Sequence, residues 1–179
     1  MAARDRVPRG HPPYNRSMPT QSTYDDANLI LRLYELRREE KLRQARQWFA
    51  ASFRARSMED LQRIAPPGSQ ENAYLRMVAS YWEMAASFIT SGVLNQELFF
   101  QSGGELLFVW ERLRLIVPQF RQFNKNPHAW HNLEIVGTAF IKWMEANGPE
   151  AYSAFQQMAY TAGGDAPPAG QTPTGAPGA

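Results

Sequence analysis

The residues best suited to chemistry are His128, His131 and Glu134, an H-x-x-H-x-x-E spacing within a chain of 179 residues. On a helix, positions i, i+3 and i+6 step round by about 60° once whole turns are removed, so the three side chains form an inclined row. Such a row could offer two imidazoles and a carboxylate to one metal ion. Di-iron bundles, however, need Glu-x-x-His on each of two helices plus a Glu from each of two others, and the chain contains no Glu-x-x-His. A solvated His128 just after Pro127, and a His131 hydrogen-bonded near Trp130, account for the same residues, so no metal and no cofactor is expected.

Two Trp-Glu steps, Trp82-Glu83 and Trp110-Glu111, form the second constellation. Carboxylates facing each other in an apolar core would have shifted pKa values and could share a proton or bind a cation. Helical phase sets Glu111 about 100° round from Trp110, at the edge of an apolar stripe, free to pair with Arg112, Arg114 or Arg76. Gly103 and Gly104 look superficially like a phosphate-cradling loop, but a phosphate loop follows a strand and carries a Lys with Ser or Thr. Here Gly103 lies on the stripe itself, where glycine permits a break at 101–104 or, the preferred account, lets another helix approach closely.

The one partner signal is charge. Residues 1–56 hold eleven Arg and one Lys against six acids, net +6, while residues 57–179 carry net −4, so the overall +2 conceals a polarity. Arg37, Arg38, Arg43 and Arg46 are the candidate partner-binding residues; with Arg32, Arg54, Arg56 and the arginines before residue 17 they could neutralise several phosphates. The interleaved Glu35, Glu39 and Glu40 suit a water-facing helix or a helix-helix contact instead.

These residues need elements to position them, and the spacing predicts an all-α chain. From Phe99 the apolar positions Gly103, Leu106, Trp110, Leu113 and Val117 recur at 4-3-4-3-4, one stripe along a helix face. A first long helix is expected from Asp25 to Phe53, apolar nearly all round at Leu29–Leu36 and charged over Glu35–Gln47. Ser57 with Asp60 marks a short helix that Pro66, Pro67 and Gly68 end. Ser69 caps a helix carrying Tyr74 to Phe88, Asn95 caps the next, and Pro118 stops or kinks it. Asn126 and Pro127 start another that runs through Trp143 to Asn147-Gly148-Pro149, and a last short helix presents Tyr152, Phe155 and Ala159. The expected fold is a bundle of about four main helices plus one or two short ones over residues 24–160. A disordered basic Pro-rich arm (1–23) and a disordered Gly/Pro/Ala/Thr tail (161–179) flank it.

The segments ANLILRLYELRREEKLRQARQWF (27–49), YWEMAASFITSGVLNQELFF (81–100) and GELLFVWERLR (104–114) give the chain a resemblance to a group of small all-helical bacterial proteins with no assigned activity. That resemblance spans most of 27–145. It implies a bacterial helical domain of unknown function and transfers no catalytic residue.

With no cysteine, disulfides, thiolate metal sites and thiol nucleophiles are excluded. No apolar run approaches the roughly 18 residues of a membrane span, and the arginine-rich N-terminus lacks the apolar core of a signal peptide, so a cytoplasmic protein is expected. Three functions follow in order: a non-enzymatic helical interaction or regulatory module, self-associating through its aromatic-rich helices; a binder of nucleic acid or anionic surfaces through the Arg-rich first third; and a metal-dependent helical enzyme using His128, His131 and Glu134.

Overall fold

A computed structural model describes residues 21–161 of the chain. Among them are nine helices and no strand: α1 Tyr24–Leu36, α2 Glu40–Ser52, α3 Met58–Ile64, α4 Gln70–Thr90, α5 Gln96–Phe100, α6 Gly104–Leu113, α7 Val117–Phe123, α8 His131–Asn147 and α9 Ala151–Thr161. The all-α expectation therefore holds. All of the expected N-terminal arm but residues 21–23, and all of the C-terminal tail but Thr161, lie outside the described residues.

The caps form where Ser, Thr and Asn offered them. The hydroxyls of Ser57 and Ser69 and the amide oxygen of Asn95 accept the N–H of Asp60, Asn72 and Leu98 at 3.1, 3.1 and 2.9 Å, opening α3, α4 and α5. Thr23 and Asp26 make a reciprocal capping box at α1. Asp26 also accepts the N–H of Asn95 at 2.6 Å, so one buried carboxylate joins the start of α1 to the start of α5. Burial pushes its carboxyl upward, but the Thr23 hydroxyl and the Thr23 and Asn95 N–H groups together hold it below the ordinary range.

Three expected elements differ. The long first helix breaks at Arg37–Glu39, because Glu39 turns extended and its carboxylate accepts the N–H of Leu42 at 2.8 Å, capping α2 anew. The striped helix from Asn95 to Val117 is two helices, α5 and α6, with Val117 opening a third. A Cβ on Gly103 would stand 2.4 Å from the Phe99 ring, so this glycine serves the break between α5 and α6 and not the approach of a distant helix. Pro118 sits in the first turn of α7, which continues to Phe123.

The glycine that does admit a close helix is Gly137. It lies on α8, where a Cβ would meet Cγ and Cδ1 of the Trp110 indole at 2.4 Å, so the absent methyl lets α6 and α8 close on each other. α4 lies at the centre, packed by α2 on one side and α8 on the other. Its Val78, Ala79, Trp82, Ala85, Ala86 and Ile89 are buried, the small residues letting both neighbours approach. Phe49 and Phe53 stack at 4.7 Å beneath α4, and Phe100 stacks on Phe140 at 4.2 Å beside α8.

Gly137→Ala should lower the thermal midpoint by roughly 5 °C, from an overpacking cost of about 1–3 kcal/mol. Gly104→Ala, where a Cβ meets nothing within 4 Å, should leave the midpoint unchanged or slightly raised. Melting both variants beside the parent by circular dichroism checks the pair, and equal midpoints would contradict the packing described.

Candidate functional site

The arginine segment folds inward more than its composition suggests. Arg46 on α2 donates through Nε and Nη2 to the two carboxylate oxygens of Glu105 on α6, and through Nη1 to the Arg37 carbonyl at 3.2 Å. The Glu105 bond is the main reason that the Arg46 guanidinium holds its proton more firmly than usual. Arg37 adds Nη1 at 3.4 Å from the same carboxylate, and its guanidinium lies 4.5 Å over the Tyr34 ring and 5.6 Å from that of Trp82. Of the four candidate partner residues, Arg37 and Arg46 are thus half-buried in one intramolecular cluster. Arg43 is exposed at the edge of that cluster, and Arg38 is exposed 5.6 Å from the Tyr34 ring.

The acids of the Trp-Glu steps are also structural. Glu83 reaches from α4 to the start of α8, where its carboxylate accepts the N–H of Asn132 at 3.1 Å, that of Leu133 at 2.9 Å, and the Asn132 side-chain amide at 2.8 Å. It supplies the cap that α8 lacks locally, with its charge at the positive end of the helix dipole. Glu111 was expected at the edge of the stripe and is instead wholly buried, because α9 covers it. Its carboxylate pairs with Arg114 at 3.0 Å, one of the foreseen partners, and accepts the Tyr152 hydroxyl at 2.7 Å, while its carbonyl accepts the Tyr160 hydroxyl at 2.8 Å. Burial, then the Glu111 bond, pushes the Tyr152 phenol far above the ordinary range. The two carboxylates serve different joints and share no partner.

The inclined row of His128, His131 and Glu134 does not form as drawn. α8 begins only at His131, because Trp130 turns left-handed (φ 55°) and Asn126 accepts the His128 N–H in a turn before it. The two imidazoles lie edge to face with centroids 5.8 Å apart, and the Glu134 carboxylate is held by Arg121 at 2.8 Å. Among the described residues no group of three His, Cys, Asp or Glu is placed to hold a metal ion.

What the structure brings forward is the outer face of α1. Its inner face buries Asp26 and Leu33, while Tyr24, Leu31 and Tyr34 are 80, 61 and 49% exposed. With exposed Ala27 these occupy positions i, i+3, i+7 and i+10, the narrow 3-4-3 seam by which one helix meets another. The sequence signal was present in the stretch that is apolar nearly all round. The pattern alone does not reveal it, because a helix apolar on every side is ordinarily buried in its own core.

A family model described as a domain of unknown function, DUF4760, matches residues 22–161, and the chain belongs to that family. No curated protein and no solved structure matches it.

The Tyr81 hydroxyl ties α4 to α1 by donating to the Leu33 carbonyl, and burial pushes this phenol up to about 12. Its unfolded value is near 10, so the stabilisation is whole below pH 10 and is lost as pH rises from about 10 to 12. Tyr81→Phe should cost about 1 kcal/mol at pH 7, from one lost hydrogen bond. The gap from the parent should narrow above pH 10 in urea titrations across that range; a gap that stays constant or widens would contradict the assignment.

Proposed function

We propose that this chain is a non-enzymatic helical interaction module that self-associates through the outer face of α1. The observation that carries the reading is the exposed seam of Tyr24, Leu31 and Tyr34 on a helix whose opposite face is already buried. The occupant proposed is a second copy of the chain. An antiparallel pairing centred on Leu31 sets Leu31 against Leu31 and brings Tyr24 of one copy toward the turn after α1 that carries exposed Arg38 of the other, an aromatic-guanidinium match of the kind that Arg38 and Tyr34 already make within one chain. Thirteen residues of α1 are only about 20 Å long, so the contact falls at the small end of specific interfaces and is expected to be reversible.

Two other readings have less support. Binding of nucleic acid or an anionic surface would draw on Arg37, Arg38, Arg43 and Arg46, and Glu105 neutralises much of the Arg37 and Arg46 charge. A metal-dependent enzyme would draw on Glu134, whose carboxylate Arg121 holds. No helix among the described residues is long and apolar enough to cross a membrane. A cytoplasmic setting belongs to the proposal and rests on composition.

Sedimentation velocity from about 10 to about 500 μM, the span suited to a small interface, should show the parent moving from monomer toward dimer. Leu31→Glu should stay monomeric with an unchanged circular dichroism melt. A parent that remains monomeric throughout, or a Leu31→Glu variant that still dimerises, would sink the reading.

A further inference from the structure

A groove of about 820 Å³ runs beside α4, walled by α3, α7 and the turn before α8. Its apolar side is built by Leu61, Met77, Phe120 and Trp130, and its charged residues are Arg76 and Glu83. These two lie seven residues apart on α4, so they share a helix face about 10 Å apart along the axis. They are not equivalent. Both oxygens of Glu83 are engaged by the first N–H groups of α8, whose dipole offsets the charge. Arg76 is exposed, and no salt bridge among the described residues reaches it. The groove therefore offers one open cation at one end of an apolar wall.

The wall itself is held in an unfavourable backbone. Lys125 (φ 51°) and Trp130 (φ 55°) are the two non-glycine residues with positive φ among those described, and they bracket the turn that edges the groove. A left-handed Trp persists only where its surroundings over-determine it. Here the indole stacks on Phe120 at 4.1 Å, with planes 21° apart, while Arg121 donates to the Ala129 carbonyl at 2.9 Å and Glu83 fixes the residues that follow. Strain of this kind, placed where it sets an aromatic side chain in the lining of a groove of ligand size, points to binding.

We infer that this groove binds a small amphipathic carboxylate, with its anionic end on Arg76 and an aromatic or aliphatic body along Met77, Phe120 and Trp130. The guanidinium fork suits the two oxygens of a carboxylate, and no second cation lines the groove to favour a more highly charged phosphate. The same chemistry arises in free carboxylic acids and in the C-terminus of a peptide with an apolar last residue.

The test is a ¹H–¹⁵N NMR titration of the full chain with phenylacetate, 4-phenylbutyrate, octanoate and N-acetyl-leucyl-phenylalanine, with 4-phenylbutyramide as the uncharged control. Shifts should centre on Arg76, Phe120 and the Trp130 indole N–H. The amide should bind at least tenfold more weakly than its acid, and Arg76→Gln, a change at an exposed position, should weaken the acids by a similar factor. Tighter binding of the dipeptide than of the free acids would assign the peptide source. The proposal is overturned if none of the four probes shifts these residues, or if Arg76→Gln leaves their affinities unchanged. Because α1 does not line this groove, either result is independent of self-association.

Discussion

The arrangement depends on the carboxylate of Glu105. It stands in the first turn of α6, where the helix dipole favours an anion, and it draws in the Arg46 fork and the end of Arg37. Arg46 also holds the Arg37 carbonyl at the joint where α1 gives way to α2. One acid thereby ties the joint between α1 and α2 to the start of α6. The arginines that make the first third basic are in part fasteners, and α1 keeps Tyr24, Leu31 and Tyr34 outward beside them.

The same device recurs across the molecule. Asp26 joins α1 to α5, Glu83 joins α4 to α8, and Glu111 joins α6 to α9. Each carboxylate is met by N–H or O–H donors from another element, which satisfies a group that would otherwise be costly to bury. Several of these helices are short, α5 having five residues and α3 and α7 seven, so little of their stability is intrinsic. Directed carboxylates suit such a fold because they fix orientation as well as proximity. In the sequence Glu83 and Glu111, set beside tryptophans, resemble catalytic groups. What separates the two roles is which donors surround them.

The helical class, the caps at Ser57, Ser69 and Asn95 and the end at Gly148 were legible because each depends on residues a few positions apart. The break at Arg37–Glu39 was not, and the one at Gln101–Gly103 was legible only as the less favoured of two roles for Gly103. Hydrophobic phase carries across both, so periodicity alone reads continuous helices. The start of α8 was misplaced because it requires a left-handed Trp130 and a cap from Glu83, which lies 49 residues away in sequence from Asn132. Burial of Glu111 depends on α9 in the same way. Of the functional readings, the outer seam of α1 was encoded in the spacing from Tyr24 to Tyr34, but only the packing shows that the opposite face is already taken.

The proposed self-association requires α1 to have one face committed and one face open to a second copy. Amide hydrogen exchange at dilute and concentrated protein tests this most directly, because it reports protection residue by residue. Raising the concentration should slow exchange across Tyr24–Leu36 while leaving Glu40–Ser52 unchanged. Protection that does not depend on concentration in α1, or that rises in α2 instead, would contradict it.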